Sequence, residues 1–368
     1  MKRVLVTGGA GFIGSHVADE LLRAGYTVRV YDNLSPQIHP TESRPEYLNP
    51  AVELVLGDIR DSDGVGKALS GVDAVIHLAA AVGVGQSMYE IAAYTAINDL
   101  GTAVLLEALA KKPVERLVCA SSMSIYGEGL ARRENGEIVS PPERSLGQLR
   151  RGAWELEDED GTPLTPLPTP ETKIPSLSSI YALGKFVQER MSLIAAQAYG
   201  IPCIALRFFN VYGPHQALSN PYTGVLAIFA ARLLHDRPPL IFEDGQQRRD
   251  FVHVRDVARA CRLALESRER GVFNVGSGVS RTITSIAEDL ARVMGKENIR
   301  PHVTGKYRAG DIRHCYADIS SVQAVLGFRP EIDFAHGLEE LAQWLASQEA
   351  EDNVDKATAE LEKRGLVA

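Results

Sequence analysis

The sequence lacks the features of membrane, secreted or nucleic-acid-binding proteins. It contains no run of about 18 or more apolar residues, so a membrane-spanning helix is not expected. Its net charge is −8, which excludes the basic excess typical of nucleic-acid-binding domains. A strand pattern begins almost at Met1, in MKRVLVTGG, and leaves no room for a signal peptide. We therefore expect neither a nucleic acid nor a membrane as partner.

Cysteine is scarce and scattered. The four cysteines, Cys119, Cys203, Cys261 and Cys315, form no CxxC pair and have no spacing typical of metal ligands. Such thiols are typical of reduced core residues, so we expect no metal site and a cytoplasmic protein. The rest of the composition, 45% hydrophobic and 23% charged, is that of a globular chain. Its length of 368 residues suits about two domains or one large α/β unit.

The first stretch that carries chemistry is VLVTGGAGFIGSH, near the N-terminus. Val4–Thr7 is typical of a buried strand, and Gly8, Gly11 and Gly14 follow at three-residue spacing before a helical pattern. A strand, a glycine-rich turn and a helix present backbone N–H groups at the positive end of a helix dipole, which is a pyrophosphate site. A purely structural glycine turn would look similar, but the following strand and its terminal acid favour a dinucleotide.

That acid is Asp32, which lies 18 residues beyond Gly14. A carboxylate there can bind a ribose 2′-OH and would repel the 2′-phosphate of NADP, so the sequence favours NAD. Asp58 and Ile59 follow the next strand, where they could contact the edge of the adenine ring. Small residues after the strand at Ala74–Leu78 would let the backbone lie beside a flat ring. The residues expected to contact NAD are Gly8, Gly11, Phe12, Ile13, Gly14, Asp32, Asn33, Asp58, Ile59, Leu78, Ala79, Ala80, Tyr181 and Lys185.

Strand patterns alternate with helical patterns along much of the chain. The predicted strands include Val52–Leu56, Ala74–Leu78, Arg116–Ala120 and Cys203–Phe208. This alternation predicts the α/β class, with a parallel sheet and helices on both faces. Ligands of such sheets bind at the carboxyl ends of the strands.

A second chemical element is the pair Tyr181 and Lys185, in SSIYALGK. Four-residue spacing on a helix places both side chains on one face. An ammonium near a phenol favours the phenolate and lowers the pKa of the phenol from about 10, so Tyr181 could exchange a proton near neutral pH. A Tyr–Lys pair at this spacing also occurs on solvated helices, where it has no role. The dinucleotide motif earlier in the chain favours a catalytic role for the pair here.

Six motifs, taken in order, resemble those of a known family. They are TGGAGFIGSH, HLAAAVGVG, SSMSIYG, YALGK, RFFNVYGP and RRDFVHVRDVARA. Over roughly residues 1–345 the chain is similar to the extended short-chain dehydrogenase/reductases, and more narrowly to the NAD-dependent nucleotide-sugar epimerases and dehydratases. TPLPTPETK and YGPHQALSNPYTGVLAIFAARLL most resemble the bacterial dTDP-L-rhamnose 4-epimerases. UDP-sugars, including UDP-glucose and UDP-glucuronate, remain open as substrates.

The resemblance implies an organisation for the whole chain. A Rossmann-type doubly wound parallel sheet would occupy residues 1–200, with an insertion at 128–175. A smaller C-terminal α/β domain for a nucleotide-diphosphate sugar would occupy 201–345, with some strands returning to the Rossmann sheet. A polar tail, 346–368, would form a surface helix or fray, and we assign it no chemistry. The resemblance also implies tightly held NAD and a homodimer paired through long helices.

The segment SSMSIYG indicates which reaction the resemblance implies. Relatives that dehydrate a 4-keto sugar carry an Asp–Glu pair here, and sugar-acid decarboxylases carry a Glu; the matching positions in this chain are Ser122, Met123 and Ser124. What remains is the Ser122 hydroxyl to bind the C4 oxygen and Tyr181 to remove its proton, with Lys185 beside it. This set implies a 4-epimerase. A net oxidoreductase, or a dehydratase whose acid comes from Glu128, is the alternative; a non-catalytic NAD sensor would usually lack Tyr181 or Lys185.

The nucleotide side of the site is assigned by the same resemblance. Asn210 would face the diphosphate, Leu240 and Phe242 would flank the base, and Asp311 would accept from a ribose hydroxyl. Planar, permanently charged guanidinium groups suit phosphates, which fits Arg249 and Arg308. Further candidates for the phosphates, the base or the sugar are Arg248, Arg313, Asn220, Tyr222 and Ser124.

Residues 128–175 form a long segment rich in proline and charge, without clear periodicity. Loops of this length are usually functional or disordered. Because the segment lies between Ser122 and Tyr181 in the chain, we interpret it as a lid or a wall of the sugar pocket. A solvated insertion with no role is the alternative.

Overall fold

A seven-stranded sheet, with strands from both halves of the chain, forms the centre of the molecule. The computed structural model describes residues 2–41, 43–218, 224–308, 310–348, 352 and 354–367. In spatial order the strands are β13 (Gly271–Val275), β9 (Cys203–Phe208), β5 (Arg116–Ser122), β4 (Ala74–His77), β1 (Arg3–Thr7), β2 (Thr27–Asp32) and β3 (Glu53–Leu56). All neighbours in this sheet are parallel, so the predicted Rossmann-type doubly wound sheet is confirmed.

The central strands are apolar on both faces because helices cover both. Every residue of β4, β5 and β9 is buried, as expected of strands inside a parallel sheet. Alternate residues point to opposite layers: Val4 and Val6 pack with α1 (Phe12–Arg23) and α9 (Val254–Glu266), whereas Leu5 packs on the other side. That other layer consists of α2 (Ser62–Ala68), α5 (Gly101–Lys111) and α7 (Ile180–Ala198).

The remaining helices complete both layers and the smaller domain. Short elements precede α5, and a 3₁₀ turn at Met123–Tyr126 follows β5. The helices not yet given are α3 (Val84–Ser87), α4 (Ile91–Thr95) with a π-helical turn at Ala96–Leu100, α6 (Leu146–Arg150), α8 (Val225–Leu234), α10 (Ile283–Val293), α11 (Ser320–Leu326), α12 (Phe334–Leu345) and α13 (Val354–Lys363). None of the helices within the described ranges has the length and apolarity needed to cross a bilayer.

A second core lies between α8, α10 and α12, apart from the large sheet. A small mixed sheet joins β10 (Asn210–Tyr212), β12 (Arg248–His253), β14 (Ser280–Thr282) and β16 (His314–Cys315). A parallel pair, β11 (Leu240–Ile241) and β15 (His302–Val303), lies beside them. This region places Arg249, on β12, and the loop before β16 next to the carboxyl edge of the large sheet.

The 128–175 segment has a structure of its own. It contains the antiparallel strands β6 (Ala131–Arg132), β7 (Ile138–Val139) and β8 (Thr165–Pro166), together with α6. A small apolar cluster of Ala131, Leu156 and Leu164 holds it together. The four cysteines of the chain are all buried as free thiols, as predicted from their scatter.

Candidate active site

One continuous cavity of about 720 Å³ follows the carboxyl edge of the large sheet and extends to α8, β11 and β12. Ligands of open parallel sheets bind at this edge. All the principal site residues predicted from the sequence line it, namely Gly8, Gly11, Phe12, Ile13, Gly14, Asp32, Asn33, Asp58, Ile59, Leu78, Ala79, Ala80, Ser122, Ser124, Tyr181, Lys185, Asn210, Leu240, Phe242, Arg249, Arg308 and Asp311. The predicted cofactor and substrate residues therefore line one cavity, and their individual roles stay predictions.

The glycine-rich turn is packed too tightly for other residues. Gly8 has φ +67°, and a Cβ there would lie 2.8 Å from the backbone nitrogen of Ala79. A Cβ on Gly14 would lie 2.4 Å from the Gly8 carbonyl oxygen. Gly11 caps α1 without a side-chain hydrogen bond, so the helix presents bare N–H groups to the cavity. A pyrophosphate fits such a turn.

The two predicted cofactor acids have different surroundings. Asp32 is buried, and its carboxylate accepts from the backbone N–H of Ala10 at 3.0 Å and of Leu34 at 2.9 Å, which fixes the turn beside the groove. Asp58 pairs with Arg60 at 2.7 Å, and the Arg60 side chain lowers the pKa of Asp58 to about 2. Both side chains are therefore held at fixed positions along the groove, next to the space predicted for the ribose hydroxyls and the adenine.

The reacting end of the cavity is built where β5 ends and α7 begins. The Ser122 hydroxyl accepts from the backbone N–H of Ser124 at 3.2 Å and from its hydroxyl at 2.9 Å. The Ser122 side chain is also close enough to the Tyr181 phenol to oppose the rise of that group's pKa on burial. The Tyr181 backbone N–H donates to Ser87 Oγ at 3.0 Å, which ties the start of α7 to α3. Ser122 and Tyr181 thus present two hydroxyls at one point of the cavity.

This structure does not show the predicted lowering of the Tyr181 pKa by Lys185. Burial raises the pKa of Tyr181, and the hydroxyl that opposes the rise is that of Ser122. The Lys185 ammonium is buried and donates to Gln188 Oε1 at 2.8 Å, and burial lowers the pKa of Lys185. Lys185 still lines the cavity next to the groove for the dinucleotide.

A buried polar chain behind Lys185 was not predicted. Gln188 Nε2 donates to Thr102 Oγ1 at 2.8 Å, and Thr102 Oγ1 lies 2.9 Å from His77 Nε2. His77 Nδ1 in turn lies 2.7 Å from Thr7 Oγ1, and burial lowers the pKa of His77 to about 3. The chain joins β1, β4, α5 and α7, and no spacing in the sequence reveals that they meet.

The nucleotide end of the cavity carries two arginines with different environments. The Arg308 guanidinium lies 4.2 Å above the Phe242 ring centroid, and its Nε is buried without a hydrogen-bond partner in the described part of the chain. Burial lowers the pKa of Arg308, and Asp311 opposes that effect. Arg249 donates to the carbonyls of Arg248 and Arg313 at 2.9 Å each and lies 3.7 Å from an Asp311 oxygen. Of these two arginines, Arg308 is therefore the one with a buried N–H group that has no partner in the described structure.

Several of the secondary candidates for substrate binding lie outside the cavity. Arg248 is exposed and does not line the cavity, because it points from β12 toward Ser280. Arg313 also faces away, since its guanidinium is buried among Glu243, Asp244 and Glu155. Glu128 is occupied by the backbone N–H groups of Arg313 and His314, at 2.7 and 3.0 Å, so it cannot serve as the acid of a dehydratase. Asn220 and Tyr222 lie outside the described residues.

The interpretation of residues 128–175 as a lid or wall is also wrong. None of these residues lines the cavity, because the segment packs behind the loop that carries Arg308 and Asp311. The C-terminal helix α13, to which no chemistry was assigned, does line it. Leu361 packs 3.4 Å from the Cβ position of Gly85, and Arg364 lies 4.3 Å above the Tyr89 ring centroid. The cavity-lining residues of this tail are Val354, Ala357, Thr358, Leu361 and Leu366.

Known proteins resemble this chain over most of its length. The profile of the NAD dependent epimerase/dehydratase family matches residues 4–146 and 159–276, which include the glycine turn, Ser122, Tyr181 and Lys185. The chain belongs to this family. The dTDP-L-rhamnose 4-epimerase of Burkholderia thailandensis is 37% identical, over 94% of this chain and 96% of that protein. The resemblance seen in the motifs is therefore confirmed.

Solved epimerase structures share the fold over nearly the whole chain. The UDP-glucose 4-epimerase of Thermotoga maritima, solved with UDP-glucose, is 32% identical with a TM-score of 0.77, and the match covers 94% of this chain and 98% of that one. The Thermus thermophilus UDP-glucose 4-epimerase, solved with NAD, is 32% identical with a TM-score of 0.75, over 94% and 100%. NAD is the cofactor of the epimerase/dehydratase family, and the bare N–H groups of the turn, with Asp32 beside them, fit it.

Proposed function

We propose that the protein is an NAD-dependent nucleotide-sugar 4-epimerase that acts on a dTDP-sugar such as dTDP-L-rhamnose. The observation that carries the proposal is that Ser122 and Tyr181 line the same cavity close to each other, with Met123 and Ser124 where relatives of other activities carry acids. The acids among the cavity-lining residues are Asp32, Asp58, Glu90 and Asp311, and none belongs to the Ser122–Ser124 segment. This arrangement can move one proton at C4 but lacks an acid to expel water there.

The role of each residue follows from where charge develops during the reaction. Bound NAD supplies the hydride acceptor and, later in the same turnover, the donor. Tyr181 takes the C4 hydroxyl proton and returns it, and Ser122 donates a hydrogen bond to the C4 oxygen. Lys185 donates to Gln188 and lines the cavity, and we assign to it the positive charge that acts on the phenol and the cofactor ribose. The sugar has to turn its other face to the cofactor between the two hydride transfers, so the diphosphate is held firmly and the sugar loosely.

The charges around the cavity favour a neutral sugar. Its cationic or titratable basic side chains, among the described residues, are His39, Lys185, Arg249 and Arg308. His39 lies near Asp32 in the cofactor groove, and we assign Arg249 and Arg308 to the diphosphate. That leaves only Lys185, which serves the reaction itself, so a sugar carboxylate would have no cationic partner among the described residues. UDP-glucuronate is therefore disfavoured, and the similarity to a dTDP-L-rhamnose 4-epimerase supports the dTDP nucleotide.

A panel of nucleotide sugars tests the proposal. The protein is incubated with dTDP-L-rhamnose, UDP-glucose and UDP-glucuronate, and the C4 configuration is followed by proton NMR. We expect an equilibrium mixture of C4 epimers from dTDP-L-rhamnose, without added cofactor and without growth of absorbance at 340 nm. Loss of water or carbon dioxide, or net formation of NADH, would refute the assigned reaction. If only a UDP-sugar is epimerised, the assigned reaction still holds but the assignment of dTDP as the nucleotide is refuted.

We further propose that the protein is a homodimer. Apolar side chains on the neighbouring helices α4, α7 and the π-helical turn are exposed: Ile91, Leu100, Leu183 and Ile194. Exposed apolar surface of this kind is typical of subunit contacts. Light scattering should give twice the chain mass of 40.0 kDa, and the double variant Leu183→Glu, Ile194→Glu should give a monomer. Val325→Glu, at an exposed site on α11, is the control and should leave the dimer intact. A wild-type protein that is monomeric would disprove the proposed homodimer.

A further inference from the structure

We propose that Arg144, in the 128–175 segment, is a positioning residue for the nucleotide-diphosphate clamp. This inference rests on the proposed function, because it assigns the clamp to Arg308, Arg249, Asp311 and Phe242. Arg144 lies in a sequence stretch with no recognisable motif, and it does not line the cavity. Its side chain is nonetheless only 3% exposed, which is unusual for an arginine outside a binding site.

Arg144 contacts both segments that carry the clamp. One guanidinium nitrogen lies 2.8 Å from Glu243 Oε1, and Glu243 directly follows Phe242 in the chain. The other terminal nitrogen donates to the Asp311 carbonyl at 2.9 Å. A single side chain therefore joins the Phe242 segment to the Arg308–Asp311 loop, and the Arg308 guanidinium stacks on Phe242 across that join.

The contacts extend into a buried network of charges. Arg144 Nε lies 3.6 Å from Glu128 Oε1, and Glu128 accepts from the backbone N–H groups of Arg313 and His314. Glu243 also pairs with Arg313 at 2.9 Å. Loss of one partner from a buried ion pair leaves the other charge desolvated and uncompensated. Without Arg144, the Glu243 carboxylate and the clamp loop would both lose a partner that fixes their positions.

The expected consequence is a loss of nucleotide affinity with little loss of chemistry. Misplacement of a binding group by about 1 Å can cost up to about 10²-fold, so we expect Arg144→Gln to raise the KM for the nucleotide sugar about 10-fold or more. The kcat should change by less than about 3-fold, because Ser122, Tyr181 and Lys185 lie on β5 and α7, which Arg144 does not touch. Retention of NAD should be unchanged.

Arg133→Gln is the matched control. Arg133 lies in the same segment and pairs with Asp158 at 3.3 Å and Glu159 at 2.6 Å, but its side chain is 25% exposed and neither partner belongs to the clamp. Surface ion pairs contribute little, so this variant should keep the wild-type KM. Arg144→Lys keeps a charge opposite Glu243 but cannot make all three contacts, so it should lie between the wild type and Arg144→Gln.

Affinity for dTDP and UDP, measured by calorimetry on the NAD-loaded protein, provides a readout that does not depend on the sugar. We expect Arg144→Gln to weaken binding of the preferred nucleotide by the same factor as the KM. An unchanged affinity, or an equal loss in Arg133→Gln, would overturn the inference. If Arg144→Gln does not fold, the same criteria apply to Arg144→Lys. If the wild type binds nucleotide but epimerises no sugar, the proposed function fails, whereas weakened binding in the variant still supports the inference.

Discussion

Replacing Tyr181 with phenylalanine should lower kcat by roughly 10²- to 10⁴-fold, the usual contribution of a general acid–base group, while NAD remains bound. The substitution removes one oxygen at the point where the C4 hydroxyl proton has to go. It leaves the glycine turn, Asp32 and Lys185 in place, so the cofactor groove is unchanged. The measurement is steady-state epimerisation by NMR, together with the amount of NAD released on denaturation of the purified variant.

Tyr199→Phe is the control for this variant. Tyr199 lies at the C-terminal end of the same helix, and its side chain is exposed, so the loss of its hydroxyl should have no effect on turnover. Full activity in Tyr181→Phe would disprove its role as the proton acceptor. Loss of bound NAD from Tyr181→Phe would contradict the separation of the groove from the reacting hydroxyls.

Arg308→Gln should raise the KM for the nucleotide sugar by roughly 10- to 150-fold. Hydrogen bonds to charged groups contribute about 1.5–3 kcal/mol, and Arg308 is the cavity cation whose Nε lacks a partner in the described structure. A diphosphate would satisfy it, and its stacking on Phe242 fixes the direction of the guanidinium. Titration with dTDP measures the loss directly, and the loss should depend little on salt because the Arg308 guanidinium is buried.

Arg248→Gln provides the comparison for Arg308→Gln. Both are arginines of the smaller domain, but Arg248 is exposed and faces Ser280 rather than the cavity. Its removal should leave nucleotide affinity within about 2-fold of the wild type, as expected of an exposed charge. Equal losses in the two variants would mean that net charge, and not the clamp geometry, determines binding.

Local sequence patterns predicted the part of the site that belongs to the large sheet. The strand predicted at Cys203–Phe208 has the same bounds in the structure, and Asp32 ends β2 as expected. These positions follow from short-range rules, because hydrophobic runs define the strands and glycine spacing defines the turn. The carboxyl ends of parallel strands then share one edge, which brings residues as distant in sequence as Gly8 and Tyr181 to one cavity.

The features that were missed depend on contacts between distant segments. The polar chain from Thr7 to Gln188 forms only when four elements pack together, and the turn of Lys185 toward Gln188 belongs to it. The place of residues 128–175 in the chain predicts that they lie beside the sugar. In the structure, ion pairs hold them behind the clamp loop instead. The tail looked polar, but its apolar residues recur at helical spacing, and Val354, Ala357 and Leu361 are buried against the cavity. That spacing was a usable signal.

The central claim is that one C4 hydrogen leaves the sugar and returns to the same carbon from the other side. Incubation of the NAD-loaded protein with dTDP-L-rhamnose deuterated at C4, in ordinary water, tests it most directly. We expect two C4 epimers that both keep the deuterium at C4, with no net reduced cofactor. Exchange of the C4 deuterium with solvent, or its loss with formation of a dehydrated sugar, would contradict the account.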